Sequence, residues 1–274
     1  MTGAPGDLPY WGSVDAMHQF CEAKYDVSTH FAEFWNALSN IPAFILPGII
    51  GLFSTWRVLD FRLRMLWFNM VLVGIGSFLF HMTMRFKWEM LDEVPMIIFV
   101  LCGMFVKDDM HWMTSGSRKF FVHALFLTVA IVGMYLYLST GHFGIFVTVF
   151  TGLVLLEFGL TIICCCYRQS GLTRRLFIAY AVTFCLARFF WELESFLCPP
   201  GRGGHLAWLH VLWHLLTGLA VYFGILGDVH SRHIALGIGE GVDAPGQTWP
   251  LVRLLGAGGR CKANGANGTE SKLD

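Results

Sequence analysis

Apolar residues in this chain fall in blocks of roughly 20, and no other feature restricts its folding more. A helix rises about 1.5 Å per residue, so a block of that length matches a hydrocarbon layer about 30 Å thick. Lipid offers no partner to a backbone N–H or C=O, and a single segment satisfies its own only as a helix. Composition agrees. Hydrophobic residues make up 55% of the 274 positions, charged residues 14%, and the mean hydropathy is +0.57. A soluble domain carries about 25% charged residues, and this supply cannot cover such a surface. Net charge is zero with no basic run, which excludes nucleic acid as a partner. The polar start runs past Pro5 and Pro9 without a basic segment, so no cleaved signal peptide is expected.

The pattern predicts an all-α integral membrane protein, a bundle of seven transmembrane helices at about 34–56, 63–84, 88–106, 120–138, 143–165, 176–195 and 206–228. Pro42 and Pro47 are expected to kink the first span without abolishing it. Glu89, Asp92 and Glu93 crowd the start of the third. One domain without internal repeats is expected: an N-terminal segment 1–33, a helical body 34–228 and a tail 229–274 whose composition predicts disorder from about 255.

Orientation follows from the loop Lys and Arg. Arg57, Arg62, Arg64, Lys107, Arg118, Lys119, Arg168, Arg174, Arg175, Arg232, Arg253, Arg260, Lys262 and Lys272 lie on one side, and Lys24, Arg85, Lys87 and Arg202 on the other. Fourteen against four predicts a lumenal N-terminus and a cytosolic C-terminus.

Ionisable side chains within spans are costly and point to function. His210 and His214 are four apart and share one helix face, half of a zinc site, although no HExxH motif is present. A third ligand from another helix leaves a fourth position open for water, and His81, near the end of the second span, is the candidate. The predicted topology brings His81, His210, His214, Asp92 and Ser77 to one lumenal layer. Any one of these histidines is explained as a helix cap or a mutual hydrogen bond; five such groups at one depth are not. Zinc there lowers the pKa of a water and polarises a carbonyl. Asp92 is suited to moving the proton and Ser77 to bonding an oxyanion or, alternatively, a backbone carbonyl one turn back. Hydrolysis of a lipid amide or ester, reached from the bilayer, is the economical reading.

The ordered segments YWG, CEAKYDVSTHFAEFWNALSNIP, GSFLFHMTM, MLDEVPMI, FFWELESFLC and LHVLWHLLTGL resemble alkaline ceramidases over residues 10 to about 225, most nearly the phytoceramidase type. The wider group includes adiponectin receptors and is similar in its seven spans and three-histidine zinc site. The resemblance implies a zinc-dependent ceramidase of the endoplasmic reticulum or Golgi membrane, releasing a sphingoid base and a fatty acid from ceramide, phytoceramide or dihydroceramide. It implies zinc ligands His81, His210 and His214, catalytic Ser77 and Asp92, and a disulfide between Cys21 and Cys198. Its partners are the bilayer and the lipid substrate; no obligate protein partner is expected. It also implies a calcium site at Gln19, Phe20, Glu22, Lys24 and Glu33. Here Gln19 replaces an aspartate and Lys24 an asparagine, which weakens a site built for a hard cation; the Lys24 ammonium can take the ion's place by pairing with Glu22 or Glu33. Glu194 stands where the family prefers aspartate, and its role is left open.

The alternative is a seven-helix, adiponectin-receptor-like lipid sensor with a mainly structural zinc. That group places its N-terminus in the cytosol, opposite to the orientation expected here. Rhodopsin-like helix-end signatures are missing, and no matched midplane polar set suggests a transporter. Packing at the interface accounts for Cys164, Cys165 and Cys166, although juxtamembrane cysteines are open to palmitoylation. Asn267 begins a glycosylation sequon in a tail expected to be cytosolic, so no glycan is expected. Arg188 is expected either to pair with Glu192 or to snorkel.

Overall fold

In this computed structural model the described residues are 10–56, 59, 61–111, 117–162, 171–198 and 204–235. The Cys164–Cys166 run, the Asn267 sequon, the tail from 255, and Arg57, Arg168 and Arg202 lie outside them. The described residues form α1 (Phe34–Asn40), a π-helical turn (Ile41–Ile45), α2 (Leu46–Thr55), α3 (Phe61–Thr83), α4 (Phe86–His111), α5 (Ser117–Thr140), α6 (Phe143–Thr161), α7 (Gly171–Leu197), a short 3-10 turn (Gly204–Ala207) and α8 (Trp208–Ala235). No strand occurs among them. Among the described residues, six helical stretches are long and apolar enough to cross a membrane: Phe34–Thr55, Phe61–Thr83, Phe120–Thr140, Phe143–Thr161, Gly171–Leu197 and Gly204–Arg232. The span expected at 88–106 coincides with α4, which is long enough but carries Lys87, Glu89, Asp92, Glu93 and Lys107 along its length.

The helices run past several expected ends because polar side chains there find partners inside the protein. Lys107, expected in a loop, lies within α4 at 2% exposure, paired with Glu157 and Asp228. That corrects its place in the loop count. Beyond the expected end at 228, α8 continues to Ala235; His230 is buried, and its Nδ1 lies 2.6 Å from Thr173 Oγ1.

Polarity is distributed as lipid requires. Large apolar side chains such as Phe53, Phe120, Phe121, Ile131, Tyr135 and Val182 face outward, whereas Glu33, Glu93, Glu157, Glu194 and Asp228 are buried. The central elements are α3 and α8; α8 packs along α7 and also touches α1, α3 and α4.

Two prolines and two glycines set how closely the central helices meet. Proline lacks the N–H that would bond the carbonyl four residues back. Pro47 therefore cannot bond the Ala43 carbonyl, and a π-helical turn, Ile41–Ile45, immediately precedes α2. That carbonyl lies against Gly218 of α8, where an added Cβ would stand 2.2 Å from its oxygen. Pro95 acts in the same way within α4. It frees the Leu91 carbonyl, which lies against Gly76 of α3, where a Cβ would stand 2.0 Å away. Asn69 of α3 adds a hydrogen bond from Nδ2 to the Pro95 carbonyl at 3.1 Å. These contacts bring α1 beside α8 and α4 beside α3 at the level of the histidines.

Candidate active site

His210 and His214 are one turn apart on α8, and His81 reaches them from the C-terminal end of α3. All three are buried, and one ring nitrogen from each lies within 4.8 Å of the others. Every Nδ1 is already engaged. His81 Nδ1 meets Glu33 Oε2 at 2.5 Å, and His210 Nδ1 meets Glu194 Oε2 at 2.8 Å. His214 Nδ1 meets Ser39 Oγ at 2.7 Å, while that hydroxyl gives its own hydrogen to the Asn36 carbonyl at 2.8 Å. Ser39 must therefore accept from His214. Each Nδ1 thus carries the hydrogen, and each Nε2 lone pair is left for a further partner. His81 Nε2 is buried with no hydrogen-bond partner. Leaving such a group unsatisfied costs about 1–3 kcal/mol. Three imidazoles with oriented outer nitrogens fit a divalent metal and leave a fourth position open.

The N-terminal segment closes over this cluster. The backbone N–H groups of Ala32 and Glu33 donate to the carbonyls of Met82 and His81, at 2.8 and 2.9 Å. Glu194 accepts from the Cys21 N–H at 3.0 Å with its second oxygen, and Cys21 forms a disulfide with Cys198 at the end of α7. The Phe20 ring lies 3.9 Å from that of His210, and Glu89 of α4 accepts the N–H groups of Met17 and His18 at 2.7 and 2.8 Å. His18 stacks on Phe143 at 3.9 Å, and burial pushes its pKa down to about 4, so it stays neutral at pH 7.

Of the five residues expected around calcium, three gather instead around the ammonium of a fourth, Lys24. Lys24 Nζ donates to the carbonyls of Phe20 and Glu22, both at 3.1 Å, and pairs with the Glu33 carboxylate. Burial alone would raise the Glu33 pKa, but the hydrogen bond with His81 and the charge of Lys24 outweigh it and hold the carboxyl below its usual range. The Glu22 carboxylate turns away to accept the N–H groups of Trp35 and Asn36, at 2.8 and 2.9 Å, at the start of α1. Burial raises its pKa. Gln19 is exposed.

Ser77 lies one turn before His81 on α3 and is buried; the close approach at Gly76, against the backbone of Leu91 and Asp92, brings Asp92 of α4 to the same level. Both line a cavity that His210 and His214 also line. Its remaining walls are largely aromatic and aliphatic, with Phe80, Phe146, Phe184, Trp191 and Trp213 among them. Glu93, with His18 and Thr217, is polar. One of its oxygens accepts from Tyr137 Oη at 3.2 Å, and the other is buried without a partner. Arg188 pairs with Glu192 and lies over the Trp191 ring at 4.0 Å, so the paired alternative holds.

Sequence reasoning missed Ser39 and the part played by Glu33 and Glu194 in orienting histidines. A buried serine or carboxylate in an apolar helix is a signal, but its partner is 175, 48 or 16 residues away, a distance no local pattern spans.

A family model described as Ceramidase matches residues 12–244. The chain is 30% identical to mouse (Mus musculus) alkaline ceramidase 3 over 89% of its length and 94% of that protein. It is 28% identical to the alkaline ceramidase YPC1 of Saccharomyces cerevisiae, covering 83% and 80% of the two chains. With an alkaline ceramidase of Arabidopsis thaliana it shares 26%, covering 80% and 85%. These likenesses lend nothing to a receptor or sensor.

Proposed function

Because the chain belongs to the ceramidase family, we propose that it is a zinc-dependent intramembrane amidohydrolase that cleaves the N-acyl amide of ceramides to a sphingoid base and a free fatty acid. The observation that carries this reading is the trio of buried histidines with every Nδ1 held from outside, at the head of an apolar cavity.

His81, His210 and His214 would hold the metal, with Glu33, Glu194 and Ser39 fixing their tautomers. A zinc ion held there would supply a Lewis acid for the amide carbonyl and would lower the pKa of a water towards neutrality. Asp92 accepts the proton of the attacking water and returns it to the amide nitrogen as the C–N bond breaks. The Ser77 hydroxyl, beside Asp92, donates to the carbonyl oxygen as it becomes negative. The aromatic walls hold hydrocarbon and exclude bulk water, which strengthens these polar interactions. Lys24 stands in for the calcium ion of the resembling enzymes: its ammonium supplies positive charge to the same carbonyls and carboxylate.

In this reading α4 is the remaining span of a seven-span bundle. Its Glu89, Asp92 and Glu93 side chains turn inward, to the site or to the N-terminal segment. The loop charges support a lumenal N-terminus with the metal site on that side, in the endoplasmic reticulum or Golgi membrane that the resemblance implies. The test is release of labelled fatty acid from ceramide by purified protein. Asp92→Asn should retain metal and fold yet lose about 10²–10⁴-fold in turnover; an Asp92→Asn protein as active as wild type would remove the proposed proton path.

A further inference from the structure

A second group of buried ionisable side chains lies far from the histidines. Lys107 Nζ of α4 lies 2.7 Å from Glu157 Oε1 of α6 and 3.1 Å from Asp228 Oδ1 of α8. Thr161 Oγ1 donates to Glu157 Oε1 at 3.0 Å, and Tyr180 Oη of α7 donates to Glu157 Oε2 at 2.7 Å. Stability does not explain such a cluster, because apolar replacement of a buried ion group is often neutral or stabilising. An ionisable group inside a membrane bundle calls for a functional account.

The cluster forms the floor of a small space, which shares Phe99, Val100, Tyr180 and Val221 with the large cavity below the histidines. Tyr180 stands at the junction, tethered by its hydroxyl to the floor. Glycines keep this annex open. A Cβ on Gly103 would meet nothing nearer than 4.0 Å, and one on Gly224 would only touch the Tyr180 ring at 3.5 Å.

The depth is informative. At about 1.5 Å per residue along α8, Val221 lies about 10 Å and Asp228 about 21 Å from His214. A lipid tail fills one leaflet, about 15 Å of a hydrocarbon layer about 30 Å thick. A tail beginning at the histidines therefore passes the Tyr180 junction and ends in the annex, and a longer one meets Lys107, Glu157 and Asp228. Hydrocarbon gains nothing by displacing hydrogen-bonded ions, so the floor is a stop.

We propose that the annex receives the end of a hydrocarbon tail of the substrate, and that Tyr180 with the Lys107–Glu157–Asp228 floor sets the longest tail that fits. This rests on the amidohydrolase reading above. The experiment uses full-length wild type, Gly103→Ala and Gly103→Val in lipid nanodiscs. One series of labelled ceramides varies the acyl tail, and a second varies the tail of the base. Gly103→Val should leave turnover of short-tailed substrates unchanged and reduce that of leaflet-length tails by about tenfold, the factor for roughly two excluded methylenes. Gly103→Ala should fall between. Length dependence in the first series assigns the annex to the acyl tail, and in the second to the base. Equal loss at every length, or no loss, overturns the proposal. Retention of labelled short and long free fatty acids by the same proteins separates the two readings. If wild type cleaves no ceramide, the amidohydrolase reading falls, while the annex stands or falls on whether Gly103→Val loses the long fatty acid alone.

Discussion

Replacing Lys24 by methionine keeps most of the side chain's bulk and removes the charge that faces Glu33, the partner of His81. Lys24 is 15% exposed at its side chain and Glu33 is fully buried, so the pair is poorly screened. Without the ammonium, Glu33 keeps the hydrogen bonds from His81 and from Asn36 Nδ2 at 3.0 Å, but its negative charge is no longer balanced. The carbonyls of Phe20 and Glu22 lose a donor as well. Breaking a buried pair by removing one partner costs about 3–5 kcal/mol. Each kcal/mol moves the midpoint of a chain of this size by roughly 2–4 °C, so Lys24→Met should melt on the order of 10 °C below wild type. The double variant Gln19→Asp with Lys24→Asn restores oxygen ligands and creates a cation site. Calcium should raise its melting temperature and leave wild type unchanged. The assay is thermal unfolding of the detergent-purified proteins, followed by intrinsic tryptophan fluorescence with and without calcium. Lys24→Met as stable as wild type, or wild type stabilised by calcium as much as the double variant, would refute the reasoning.

Two further outcomes follow from the same geometry. Glu194→Gln keeps a hydrogen-bond acceptor for His210 but removes the charge, and zinc affinity measured by competition with a chelator should fall about 10–100-fold in a folded protein. Gly76→Val touches no polar group, yet its Cβ would overlap the Leu91 carbonyl and push α4 away from α3. Turnover should drop at least tenfold and the melting temperature should fall, since overpacking costs about 1–3 kcal/mol or more; full activity would show that the Gly76 contact does not position Asp92.

The sequence carried the helices because an apolar block in lipid has one way to satisfy its backbone, and it carried His210 and His214 because i,i+4 spacing is a local fact. It was less informative wherever a partner came from another element. Lys107 looks like a loop charge until Glu157 and Asp228 arrive from α6 and α8. Asp228 and His230 mark a span's end by hydropathy, yet both are buried and bonded, so α8 continues. Pro47 and Pro95 are readable as kinks. That each frees a carbonyl for a glycine on a neighbouring helix requires knowing which helices meet. Ser39 is one more polar residue in an apolar helix until His214 is set against it.

The most direct measurement is metal content and ceramide turnover on one preparation, before chelation, after chelation and after zinc is restored. The account predicts about one zinc per chain. Chelation should abolish turnover, and readdition of zinc should recover it in wild type but not in His81→Ala, His210→Ala or His214→Ala. Full turnover by a metal-free protein, or zinc bound equally well by the three histidine variants, would contradict it.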